Sequence, residues 1–197
     1  MKKQKKSLWR YRTMEYLELL NKVEQWAKDR NLNTVEARTQ YTKLIEEQGE
    51  LGLAMMENNI NGDSGVKDSL GDYQVTLIIY CLIRGIDLKK QVEEEGQFWT
   101  EYDDLAQKHK DEGIFDVNKV FMYLVYSSSR MIAAYNKDKN IHLEHLSVVR
   151  ILEGLHEIAT EYNTSLEETL EMAYNEIKDR KGKMIDGVFV KEADLKD

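Results

Sequence analysis

The sequence predicts an all-α fold: a bundle of about seven helices with a short C-terminal β-hairpin flap. Three observations carry this expectation. The 197 residues contain no proline, where an average composition of roughly 5 % would supply about ten. A chain without that breaker satisfies its backbone most readily in long helices. Apolar residues recur at three-to-four spacing through most of the chain. One Asp-Gly pair, Asp186-Gly187, sits between apolar residues, as a hairpin turn requires. A sandwich or barrel with many tight turns is disfavoured, and a hydrophobic share of 42 % excludes wholesale disorder.

The elements follow in order. Thr13 or Met14 opens the first helix, with Tyr16, Leu19, Leu20, Val23, Trp26 and Ala27 at helical spacing, and Arg30-Asn31-Leu32-Asn33 ends it. Thr34 is placed to cap a second helix that runs through Leu44, Leu51 and Met55 to about Asn58. A polar loop reaches Gly65, a third helix covers about Val66 to Ile83, and Arg84-Gly85 stops it. Asp87 starts a fourth, charged helix through Trp99 to about Lys110, with Gly113 as punctuation. A fifth fits Asn118 to Tyr135 and a sixth about Leu143 to Tyr162. Ser165 and Glu168 have capping-box spacing ahead of a seventh, which is expected to reach about Lys181. The Met184–Val190 flap must lean on helices to be stable.

Charge narrows the function classes. The net charge is −8, yet residues 1–12 carry six basic groups and no acid, which leaves 22 basic against 36 acidic residues elsewhere. An acidic body disfavours stable nucleic-acid binding, and the basic start reads as a flexible terminus. No apolar run reaches the ~18–20 residues of a membrane span, and no apolar stretch follows the first lysines as a secretory signal would. Cys81 lies alone in an apolar run and is expected to be buried. These features fit a cytoplasmic protein without a membrane partner.

The acidic residues are not spread evenly. Glu46, Glu47 and Glu50 share one helical face in the second helix, flanked by Leu44, Ile45, Leu51 and Leu53. Asp68 and Asp72 stand one turn apart at the mouth of the most apolar helix. A helix hairpin brings the two acidic turns together. An isolated pair of this kind is ordinarily solvated surface. Two such turns flanking one loop, each set in apolar sequence, point instead to a cation, because clustered carboxylates repel without one. Hard oxygen ligands with room for water suit Mg²⁺, with Mn²⁺ as an alternative. The intervening loop is no EF-hand, since its glycine and closing glutamate are missing.

At these residues the chain resembles the MazG-like, all-α nucleoside triphosphate pyrophosphohydrolases of phage and prophage type. Lys43-Leu44-Ile45-Glu46-Glu47-Gln48-Gly49-Glu50-Leu51 carries the ExxE element, and Asp72 matches the aspartate of the second element, ExxD. Its glutamate is replaced by Ser69, a departure for which Asp68, one residue earlier, offers a carboxylate. Trp26 to Leu32 and Tyr174 to Met184 extend the likeness, which covers residues 14–90 and 165–191.

The resemblance implies Mg²⁺-dependent hydrolysis of a nucleoside triphosphate, deoxy or non-canonical, to monophosphate and pyrophosphate. Glu47, Glu50, Asp68 and Asp72 would hold the metal, and Glu46 or Glu47 would activate the attacking water. Lys43, Asn175, Lys178, Arg180 and Lys181 would meet the substrate; the last three also complement a helix C-terminus. A dUTPase-like or dCTPase-like member of the superfamily is the neighbouring reading. A helical nucleotide-binding module that has lost turnover is the non-enzymatic one, favoured by Ser69.

The middle of the chain reads as a degenerate second copy. Leu44 to Glu50 aligns with Leu124 to Arg130, and Gly85 to Lys90 with Asn163 to Glu168. In this register Glu47 becomes Ser127, Glu50 becomes Arg130 and Asp72 becomes Arg150, so every ligand is lost; Arg130 and Arg150 would then face phosphate. Ordinary helix-hairpin similarity is the competing explanation. The expected division is residues 1–12 as terminus, 13–112 as the metal-binding half, 113–163 as the degenerate half and 164–197 as the basic helix and flap. A fused pseudo-dimer fits either one chain or a homo-oligomer. His142 and His145, three apart, lack a third ligand nearby and read as surface, and His109 and His156 show no partner pattern. Trp26, Tyr80, Trp99 and Tyr102 read as core before base-stacking residues, and Ser127-Ser128-Ser129 as a helix contact.

Overall fold

The computed structural model describes residues 2–93, 108, 111–113, 115–185, 188–192 and 195. They are mostly helical: α1 (Lys2–Asp29), α2 (Ala37–Met56), α3 (Val66–Arg84), α4 (Val117–Ala133), α5 (Ile141–Glu161) and α6 (Leu166–Ile177). Strands β1 (Gly182–Ile185) and β2 (Val188–Lys191) pair antiparallel, with Ile185 opposite Val188. The all-α class and the C-terminal hairpin are therefore observed. The Asp186-Gly187 turn, Trp99, Tyr102 and His109 lie outside the described residues, as does most of the expected fourth helix, of which 88–93 is helical. Among the described residues no helix is long and apolar enough to cross a membrane.

Two compact units emerge, each drawn from separated stretches of chain. One comprises the described residues of Met1–Glu15 and Lys89–Leu166, the other those of Tyr16–Leu88 and Glu167–Asp197. In the first, α4 and α5 form a packed helix pair, with Gly154 against Leu124. Leu124 and Met131 of α4 and Ile151, Leu155 and Ile158 of α5 are fully buried. The hydroxyls of Ser127, Ser128 and Ser129 donate to carbonyls of their own helix; Ser127 and Ser128 are buried and Ser129 is exposed. Arg130 pairs with Asp138 at 3.4 Å. Asp116 caps α4, its carboxylate accepting from the backbone of Asn118 and Lys119 at 3.0 and 3.3 Å. Asp116→Ala is expected to cost about 1 kcal/mol, read as a lower urea midpoint with an unchanged slope.

The second unit is organised around α3, whose residues from Tyr73 to Cys81 are all buried. Tyr16, Leu20, Val23 and Ala27 of α1 are fully buried at a spacing of three to four, which is the apolar stripe of the sequence realised as a packing face. Trp26 and Tyr80 are core residues, and Cys81 is buried. Gly85 ends α3 in the left-handed region at φ 65, where a residue without Cβ is unstrained.

Three boundaries differ from expectation, each for a physical reason. Helix α1 begins at Lys2, ahead of its apolar stripe, because lysine, arginine and glutamine are strong helix formers. Thr34 does not cap α2; it closes a short 3₁₀ turn, Leu32–Thr34, by donating to the Asn31 carbonyl at 2.7 Å, and Glu36 takes the N-cap position. Helix α6 stops at Ile177 instead of about Lys181. Carbonyls that would continue it are taken by the end of α1 and the residue after it: the Trp26 indole donates to Ile177 at 2.8 Å, and the Arg30 guanidinium to Arg180 at 2.9 Å.

Candidate active site

The second unit contains a cleft of about 600 Å³. Helix α2 buries Leu44, Gln48 and Leu51, which turns Lys43, Glu46, Glu47 and Glu50 of its adjoining face to the cleft wall. Helix α3 adds Asp72 and Thr76, α6 adds Glu176, the turn beyond it Arg180, and β2 Phe189 and Lys191. What brings α6 so close is Gly71. A Cβ there would stand 2.4 Å from the Thr169 carbonyl oxygen and 2.9 Å from the Ala173 Cβ. The Gln74 amide, fully buried, adds a 2.8 Å bond to the Thr169 hydroxyl. This crossing sets Glu176, one turn past Ala173, beside Asp72.

Of the residues named from sequence, Lys43, Glu46, Glu47, Glu50, Asp72 and Arg180 line this one cleft. Asp68 lines a second, neighbouring pocket with Asp63, Ser64 and Lys67, and Glu176 borders both. The Asp68 carboxylate accepts from the Ser64 backbone at 3.2 Å. Asn175, Lys178 and Lys181 do not line the cleft; they are exposed, and Lys178 donates to Asn175 at 2.9 Å. Ser69 is 1 % exposed, and its hydroxyl has no hydrogen-bond partner among the described residues. The sequence reading missed Glu176, Gln40, Phe189 and Lys191. Glu176 had one visible signal, its place four residues before Arg180, with which it pairs.

The carboxylates act on one another. Burial, then the charges of Asp72 and Glu50, push Glu47 up to about 7, with Lys43 opposing. Burial, then Asp68 and Glu176, push Asp72 up to about 6, with Arg180 opposing. Asp68 is raised too, by burial first and Glu176 next. Lys43 is already paired with Glu46, so the cleft's own cations do not neutralise its acids.

This donor set of hard oxygens suits Mg²⁺ in chemistry and charge. The side chains are not drawn together as a finished coordination shell: among the described residues no three His, Cys, Asp or Glu groups stand in a metal-holding arrangement. His142 and His145, in the other unit, likewise form none.

A pH dependence follows. Acids whose folded pKa is raised bind protons more tightly in the folded state, so the fold loses stability as pH rises from the ordinary carboxylate range through the raised values. The metal-free protein is expected to melt at lower temperature at pH 7.5 than at pH 5.5. Mg²⁺ should raise the melting temperature more at pH 7.5, where protons no longer compete for the carboxylates. Thermal melts at both pH values with and without Mg²⁺ test this, and an Mg²⁺ effect of the same size at both would contradict it.

No family model matches the chain, and no solved structure matches it. It is 41 % identical over 73 residues to the "Uncharacterized 18.2 kDa protein in rep-hol intergenic region" of Haemophilus phage HP1 (strain HP1c1). That stretch is 36 % of this chain and 42 % of the phage protein, so the match spans less than half of the relative's length.

Proposed function

We propose that the protein is an Mg²⁺-dependent nucleoside triphosphate pyrophosphohydrolase. One observation carries the reading: a single cleft gathers Glu47, Glu50 and Asp72 from two helices with Lys43, Arg180 and Lys191 from three elements. Triphosphate chemistry needs both sets, anionic oxygens for a divalent cation and cationic groups for phosphate oxygens. The resemblance to MazG-like enzymes rests on the same residues. Bound Mg²⁺ would supply charge neutralisation on the phosphate oxygens.

The chain's own groups do the rest. Lys43 and Arg180 orient phosphate oxygens, Arg180 after exchanging Glu176 for substrate. Glu50 and Asp72 would hold the cation, and Glu47 would either join them or act on the water. A cleft carboxylate not engaged with it positions the water that attacks the α-phosphorus and accepts its proton. The bond to the bridging oxygen breaks, and pyrophosphate leaves.

The test is pyrophosphate release from a panel of canonical and modified triphosphates, with and without Mg²⁺. Release that requires Mg²⁺ is expected. No release from any of them, with Glu50→Gln indistinguishable from wild type in nucleotide and metal binding, would overturn the reading. The buried Ser69 hydroxyl, without a partner among the described residues and in place of a glutamate, favours a second reading, a nucleotide-binding module without turnover. Tight nucleotide binding with no pyrophosphate would establish it.

A further inference from the structure

The cleft is chemically divided along α2. Gln40 and Glu47 are separated by seven residues, which is about 10 Å along a helix. Glu47 and Glu50 stand with Asp72 at the acidic part of the cleft. Gln40 stands at the other: its side-chain amide donates to the Thr76 carbonyl at 3.0 Å, one helical turn beyond Asp72 on α3. Leu32, Val35, Ile79 and Phe189 supply the cleft's apolar lining. Leu32 and Val35 precede α2, and Ile79 follows Thr76, so these three gather on the Gln40 side of the cleft that Phe189 also lines.

Phe189 is a fixed ring, not a loose one. Its register partner on β1 is Met184. Its ring and that of Trp26 pack in a T-shaped pair, with centroids 6.2 Å apart and planes at 66°. Gly182 makes room for it, since a Cβ there would lie 2.6 Å from the Phe189 Cζ and 2.3 Å from the Val190 carbonyl oxygen. The ring remains half-exposed and lines the cleft. Gln40, 7 % exposed, is a buried polar group of this part of the cleft; its carboxamide is oriented by the Thr76 carbonyl and retains both donor and acceptor capacity.

We propose that this apolar part is a base subsite, in which the planar base of a nucleotide packs on Phe189 while the Gln40 carboxamide reads the base edge. The proposal rests on the nucleotide reading and narrows it: the ligand is a nucleotide with a base, not an inorganic polyphosphate. Stacking on an aromatic ring contributes about 1–3 kcal/mol per base, equivalent to roughly 5- to 150-fold in affinity.

Calorimetric titration in Mg²⁺ with two probes tests it: α,β-non-hydrolysable deoxynucleoside triphosphates and inorganic tripolyphosphate. Phe189→Leu, which keeps an apolar contact for Trp26 but removes the ring, is expected to weaken the nucleotide about tenfold or more. Tripolyphosphate should stay within about twofold, and Phe189→Tyr should bind both probes as wild type does. Gln40→Leu should compress the differences among the four bases. Unchanged nucleotide affinity in Phe189→Leu would overturn the subsite. So would equal weakening of both probes, or wild type binding tripolyphosphate as tightly as nucleotide; either leaves the phosphate and cation reading standing. Wild type that binds neither probe would remove that reading and the subsite with it.

Discussion

Glu47→Gln is expected to reduce Mg²⁺-dependent pyrophosphate release by about 10²- to 10⁴-fold, the range for loss of a positioned acid–base group. The amide keeps shape and removes the anion. Among the cleft's glutamates this one is singled out by its surroundings. It is half-buried and raised by burial, Asp72 and Glu50, whereas Glu46 is exposed and already paired with Lys43. Titration of Mg²⁺ into the variant separates the two roles open to Glu47. An affinity at least about tenfold lower marks it as holding the cation, by comparison with the loss of groups that merely support a ligand. An unchanged affinity with the same rate loss marks it as the group that accepts the proton. Activity within about twofold of wild type would remove Glu47 from the site. The metal-free variant should also melt higher than wild type at pH 7.5, because a buried charge repelled by its neighbours has gone. Activity and stability then move in opposite directions, as at sites assembled from like charges.

Gly71→Val is expected to be the most damaging change to the fold. The atoms a side chain would meet are the Thr169 backbone carbonyl at 2.4 Å and the Ala173 Cβ at 2.9 Å, and neither can rotate away. Helix α6 must shift, at a cost of about 1–3 kcal/mol or more. For a chain of this size each kcal/mol lowers the melting temperature by roughly 2–4 °C. Gly71→Ala should fall between. A melting temperature unchanged in both variants would mean that α6 does not sit against α3 as described. The shift also withdraws Glu176 and Arg180 from Asp72, so activity should fall further than the melting temperature alone accounts for.

These two residues illustrate what a sequence shows and what it hides. Glu47 was visible because its signal is local: acidic residues at helical spacing, set among Leu44 and Leu51, which are both fully buried. The pairing of that turn with Asp72 was visible because one short loop joins the two helices. The contribution of α6 was not. Glu176 precedes Arg180 by one turn, a pattern that describes a solvated surface pair equally well. Only the crossing at Gly71 places it in the cleft.

The end of α6 was hidden for a related reason. Lys178 to Lys181 suit a helix, but Trp26 and Arg30, about 150 residues away in sequence, bind the carbonyls there. No local pattern carries that information. Phe189 was legible as part of a flap, and its place in the cleft depends on the T-shaped contact with Trp26 and on the space left by Gly182.

The long sequence separation between α1 and the segment after α6 has a consequence for synthesis of the chain. Ribosomes add residues in order, at about 5–20 per second. The α2–α3 pair, with Glu47, Glu50 and Asp72, is complete by Arg84. Glu176, Arg180, Phe189 and Lys191 emerge only after roughly another hundred residues, several seconds later at those rates. Until then Trp26 and Arg30 wait without the Ile177 and Arg180 carbonyls that they bind in the finished protein. A nascent chain therefore carries Lys43 and most of the cleft's carboxylates well before Glu176, Arg180, Lys191 and the Phe189 ring. The cleft is therefore completed late, when the segment from Glu167 to Lys191 docks on helices made long before it.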